Sequence, residues 1–90
     1  MEFEYDPRKS KLNKSKHGID FEEAKAIWDD GDSIRLDTLF ENEQRYLVVG
    51  SVNEKLWTAV VTMRNEVFRI ISVRRSRENE TKAYNNCRRI

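Results

Sequence analysis

Cysteine occurs once in this sequence, at Cys87, and histidine once, at His17. No intrachain disulfide can form, and a Cys/His zinc cage is short of ligands. Glycine is nearly as scarce. Gly18, Gly31 and Gly50 are isolated, so there is no glycine-rich phosphate loop or nucleophile elbow, and nucleotide-driven chemistry is not expected. No stretch reaches the ~18 apolar residues of a membrane helix. The start, "MEFEYDPRKS", lacks the apolar core of a signal peptide. The expectation is a soluble, cytoplasmic protein with no membrane partner, no metal and no cofactor.

Charge is what the chain has in quantity, 37% of residues against 38% hydrophobic. Ninety residues of this mix fit one compact domain over 1–90 with a single core. The net charge of +1 names no partner, but its distribution is uneven. Residues 1–19 hold five Lys/Arg and three Asp/Glu, residues 20–45 hold three and nine, and residues 64–90 hold eight and three. If the basic ends meet, they form a positive face suited to phosphate; otherwise they are solvated surface.

"FEY" reads as a short extended stretch. Asp6 and Pro7 then start a helix as N-cap and first helical residue, and Gly18 stops it. Leu12 is its only large apolar residue, which predicts a surface helix. Lys11 and Lys14 share one side, with Asn13 and His17 beside it, and Lys16 projects from the Leu12 side. A second helix is expected from Asp20, with Glu23 completing a capping box, Ile19 stapling onto Ala24, and Phe21, Ala24, Ile27 and Trp28 as the buried stripe. The "DDGD" that ends it does not have calcium-loop spacing and reads as a solvated turn.

From Ser33 the hydrophobic period becomes two. "SIRLDTLF" alternates as a strand with one wet face, "QRYLVVGSV" and "LWTAVVTM" are the apolar runs of central strands, and "VFRIISVRR" is the last strand. "NEK" and "RNE" are short hairpin turns. Ser76 is placed to cap a short final helix with Ala83, Tyr84 and Cys87 inward. The fold class is α+β: two N-terminal helices packed on an antiparallel sheet of about four strands, then a short C-terminal helix, with "FEY" available as an edge strand.

The side chains left for chemistry are cations. Lys11, Lys14, Lys16 and His17 lie on the first helix, and Arg64, Arg69, Arg74, Arg75 and Arg77 on or beside the last hairpin. Strict alternation puts Arg69, Ile71, Val73 and Arg75 on one face of the last strand and Phe68, Ile70, Ser72 and Arg74 on the other. Cutting RNA without a metal requires a proton acceptor for the 2′-hydroxyl, positive charge on the phosphate and an acid for the leaving oxygen. Histidine, lysine and arginine suffice for that. His17 is the natural proton carrier, although a histidine just before a helix-ending glycine equally suits a cap on the helix dipole. A non-catalytic module that binds RNA or an acidic partner through the same basic face is the alternative.

Three segments in order resemble the BrnT family of bacterial toxins. "FEYDPRKSKLNKSKHGIDFEEAKAIWDD" resembles its opening, "ENEQRYLVVG" its Glu-x-x-Arg…Gly strand, and "RIISVRRSRENETKAY" its Arg-Ile-Ile-Ser-x-Arg close with a later Glu and Tyr. Val73 stands where alanine is usual and Trp28 where phenylalanine is common. The resemblance implies a RelE-like fold and a metal-independent endoribonuclease that halts translation. It also implies a BrnA-type antitoxin as partner, with RNA as substrate and the ribosome as an optional further partner. By motif position it points to Lys16, His17, Arg69, Arg74 and Arg75. His17, Lys16, Arg74 and Arg75 are thus the catalytic candidates, and Lys11, Lys14, Arg64, Arg69 and Arg77 the candidates for RNA binding.

Overall fold

The computed structural model describes residues 2–88, and its class is α+β. In chain order the elements are β1 (Phe3–Glu4), α1 (Pro7–His17), α2 (Phe21–Ala24), a 3-10 helix (Lys25–Asp29), β2 (Ile34–Phe40), β3 (Glu43–Val52), β4 (Lys55–Arg64), β5 (Val67–Arg75) and α3 (Glu78–Arg88). The sheet has five strands rather than four, ordered β1-β5-β4-β3-β2. The meander from β2 to β5 is antiparallel, and β1 joins it as a parallel edge through the pairs Phe3–Phe68 and Glu4–Arg69. Three two-residue turns, Glu41–Asn42, Asn53–Glu54 and Asn65–Glu66, connect the meander. All six residues have φ between 50° and 68°, the geometry that matches the strand twist, and none is a glycine.

Local signals at the helix ends act as expected. Asp6 accepts a hydrogen bond from the Arg8 N–H (2.9 Å), Gly18 takes φ 86°, and its N–H reaches the Lys14 carbonyl. Asp20 and Glu23 form the reciprocal capping box. The helix predicted to run on to Trp28, however, is α-helical only to Ala24 and then tightens into the 3-10 segment. This segment lies directly on β3. A Cβ at Gly50 would stand 2.8 Å from the Ile27 carbonyl oxygen, so the position requires glycine.

The main core lies between α2 with its 3-10 extension and one face of the sheet. Ile19, Phe21, Ala24 and Ile27 meet Val48, Trp57, Ala59, Val61, Ile70 and Val73. Trp28, expected in the buried stripe, is half-buried, edge-on to Phe3 with centroids 4.7 Å apart. Docking of α1 also differs from expectation. Leu12 is 68% exposed, and the buried residues of the helix are Ser10 and Asn13. Ser10 Oγ accepts from the Phe21 N–H (2.9 Å). Asn13 donates to the carbonyls of Ile19 (2.8 Å) and Val73 (2.9 Å) and accepts from the Val73 N–H (3.2 Å). Beyond the two residues that β1 covers, the backbone of β5 needs partners, and the amide of Asn13 supplies them much as a neighbouring strand would.

Strict alternation fails in β5. Val61 pairs with Ile70 and Val60 with Ser72, leaving Ile71 without a partner at a bulge. Phe68, Ile70, Val73 and Arg75 therefore share the core face, and Arg69, Ser72 and Arg74 share the other. The core uses Ile70 where strict alternation leads one to expect Ile71.

On that second face α3 covers one end of the sheet. Tyr84 is buried and its hydroxyl donates to Asp30 Oδ2 (2.7 Å), which also accepts from the Ser51 N–H (2.8 Å). The aspartate-rich turn thus ties α3 to β3 instead of merely facing water. Ser76 is not the cap of α3: its hydroxyl bonds to that of Thr58 (2.8 Å), and the Arg77 N–H is held by Glu80 Oε1 (2.8 Å). Cys87 is exposed, not inward.

Candidate nucleic-acid interface

The two long sides of α1 differ. Lys14 forms an ion pair with Glu23 at 2.7 Å, and that hydrogen bond raises the lysine pKa and lowers the carboxyl's. Lys11 borders the same side, with Lys14 and Asp20. These two, expected to meet RNA, face the acidic start of α2. Lys9, Leu12, Lys16 and His17 instead border a hollow of about 230 Å³ whose far wall is Ile71 and Ser72. The side chains of Lys9, Lys16 and His17 make no ion pair or hydrogen bond with other described residues.

The uncovered half of the second sheet face continues this hollow. Register aligns Thr38, Arg45, Thr62, Arg69 and Glu4 in one row across all five strands. Arg45, Arg64 and Arg69 border a second hollow of about 200 Å³, to which Lys9 and Ile71 also contribute. Lys9 and the bulged Ile71 line both hollows, so the two adjoin and make up a trough that has His17 and Lys16 at one end and Arg69 and Arg64 at the other. Arg69 is held only loosely, 3.9 Å from Glu4. Arg45 lies over the Phe40 ring (4.3 Å), 3.3 Å from Glu43, and its buried Nε has no partner among the described residues.

Arg74, a catalytic candidate, is placed differently. Its two terminal nitrogens bind both oxygens of Glu80, at 2.8 and 2.9 Å, and Glu80 is 2% exposed. Thr58 and the Arg77 N–H add to the same carboxylate. These bonds, Arg74 first, outweigh burial and hold the Glu80 carboxyl down to about 2. Such a pair fixes α3 on β4 and β5 and leaves the Arg74 fork occupied. Arg75 leaves the opposite face, with its guanidinium 5.5 Å from the centre of the Trp57 ring and its Nε on the Leu56 carbonyl (3.2 Å). Arg77 is exposed at the start of α3, away from the residues bordering the trough.

His17 and Arg75 come to the same end of the molecule. Lys9 lies near Arg69 and Ile71, while Asn13 binds Val73, so α1 and β5 run in the same direction. One helical turn beyond Asn13, ~5.4 Å, leads to His17, and two strand residues beyond Val73, ~6.6 Å, lead to Arg75. Sequence reading missed Lys9 and Arg45. Lys9 is recoverable from the helical period, because it lies at i−3 from Leu12 and i−7 from Lys16; Arg45 needed the strand register.

No described helix is long and apolar enough to cross a membrane. Over residues 5–80 the chain matches the family model for the ribonuclease toxin, BrnT, of a type II toxin-antitoxin system. Comparison with curated proteins gives no match.

Proposed function

The chain belongs to the BrnT family of type II toxin-antitoxin ribonuclease toxins, and from that premise we propose that it is a metal-independent endoribonuclease with its active centre at the His17 end of the trough. The observation that carries this reading is the run of cations along that trough: Lys9, Lys16 and His17 of α1, Arg64 of β4 and the loosely held Arg69 of β5 border two adjoining hollows. His17 moves the proton and Lys16 neutralises the phosphate under attack. Arg75, which leaves the opposite face of β5 at the same end of the molecule, supplies the second charge from that side. Lys9, Arg69 and Arg64 hold the flanking phosphates, since base-independent affinity comes from such contacts. Metal independence is supported by the excess of cations along the trough, where Lys9, Lys16, Arg45, Arg64 and Arg69 outnumber the one lining carboxylate, Glu43, and themselves provide the charge that a metal would supply. Arg74 supports the fold, and Lys11, Lys14 and Arg77 stand outside the path.

Residues 1–90 act in this reading as a single RelE-like toxin domain in the cytoplasm, cutting RNA, on the ribosome or free, so that translation stops. A BrnA-type antitoxin neutralises it by covering the cations, and its affinity falls as salt rises. The decisive test is cleavage of RNA by purified protein in EDTA. His17→Ala should lower the rate by about 10²–10⁴-fold if the imidazole carries a proton, with the melting temperature unchanged. Full activity in that variant removes His17 from the mechanism. Wild type that binds RNA without cutting it leaves a binding module.

A further inference from the structure

Beyond the trough, the turn that ends α1 opens onto a pocket of about 290 Å³. Its apolar wall is Ile19, Val52 and Trp57, and its polar rim is Glu23, Asn53 and Lys55. Gly18, next to His17, also lines it, and a Cβ there would meet nothing within 4 Å. This volume is at the lower limit of small-molecule sites, ~300 Å³, and has room for one planar heterocycle. The hydrogen bonds that reach Glu23 converge on Oε1, from Lys14 Nζ (2.7 Å) and the Asp20 N–H (3.0 Å), while Oε2 has no donor among the described residues. Both lone-pair positions of Oε2 therefore stand clear of donors from the described residues, on the same rim as two donor-bearing side chains and above an indole wall. Trp57 also carries Arg75, so a cation adjoins the pocket.

A guanine base fits this arrangement. Its N1–H and N2–H donors lie side by side and suit Glu23, and O6 and N7 next to them accept from Lys55 and Asn53; cytosine and uracil lack that sequence of donors and acceptors. RNA is read through such edges when an unstacked base is turned out of the strand. We propose that this pocket is a guanine subsite for the base adjoining the phosphate held at His17, with Glu23 and Lys55 as the specificity-determining residues. The inference deepens the ribonuclease reading and rests on it for the placement of the base.

The test uses Trp57 as its own reporter. In the full-length Trp28→Phe variant Trp57 is the sole tryptophan, and its fluorescence is followed while guanosine 5′-monophosphate or cytidine 5′-monophosphate is added. Guanosine monophosphate should give a saturable change at about tenfold lower concentration than cytidine monophosphate, the value of one hydrogen bond to a charged group. Glu23→Gln, which keeps the capping-box hydrogen bond, and Lys55→Met should each weaken guanosine monophosphate by about tenfold and leave cytidine monophosphate unchanged. Equal affinity for the two nucleotides, no response to millimolar guanosine monophosphate, or unaltered affinity in both variants overturns the proposal. Guanine binding in a protein that fails to cut RNA supports the pocket while removing the ribonuclease reading; cleavage without guanine binding does the reverse.

Discussion

Arg74 and Arg75 are consecutive in β5 and meet opposite environments. Arg74 points to the α3 side and closes a bidentate pair with a buried carboxylate, while Arg75 points to the core side, rests on Trp57 and keeps one side of its guanidinium in water. The same contrast divides α1, where Lys14 is committed to Glu23 and Lys16 is not. The lesson is that basic residues clustered in a sequence are not one functional set. An arginine that has a buried carboxylate partner holds the fold together, and one without such a partner keeps its guanidinium exposed.

Substituting the two arginines one at a time is the strongest way to break this comparison. Arg74→Ala leaves the Glu80 charge buried and should cost about 3–5 kcal/mol of stability, whereas Arg75→Ala should melt like the parent and lose RNA cleavage by about 10²–10³-fold. Urea denaturation together with the cleavage assay separates the two, and a stable, inactive Arg74→Ala would reverse the assignment.

Acid should sharpen the same contrast with a slightly smaller effect. The Glu80 carboxyl is depressed from 4.5 to about 2, so its contribution is fully present above pH 4.5 and is lost as pH falls through about 2. Over that window the stability loss should approach ~3 kcal/mol. In Glu80→Gln the slope of stability against pH between 5 and 2 should flatten; an unchanged slope would place the titration elsewhere. Smaller again in stability is the pair on α1. Lys14→Ala and Lys16→Ala should both leave the melting temperature nearly unchanged, because the Lys14 pair is exposed, but only Lys16→Ala should reduce cleavage. The least effect is expected at a turn. Glu54→Gly relieves a left-handed non-glycine residue and should stabilise by about 0.5–1 kcal/mol without altering cleavage.

Features that depend on near neighbours were legible in the sequence. The Asp6–Pro7 start, the Gly18 stop, the Asp20–Glu23 box and the hairpin turns are all decided within a few residues. So was the separation of Lys14 from Lys16, which follows from helical period alone. Other features depended on distant partners. Nothing near Asn13 says that its amide will meet Val73, and Leu12 looked like the only means of docking α1. The bulge at Ile71 was equally hidden, since it leaves the hydrophobic character of the strand intact and changes only the count. That one residue moved Arg69 to the face of Arg74 and hence to the trough. The Arg74–Glu80 pair was obscured for a related reason, as a glutamate amid basic residues reads like solvated charge until burial is known.

The bond from Asn13 to Val73 spans sixty positions, and this sets an order of events during synthesis. A chain leaving the ribosome carries His17 and Lys16 early, but α1 has nothing to seat on until β5 has followed. At ~5–20 residues per second that delay is about 3–12 s. Until then the early residues have no trough, because long-range closure cannot begin before its second half exists. For most of its own translation the chain therefore carries the basic end of α1 without the sheet edge that seats it, and the docked arrangement is reached only after β5 has been made.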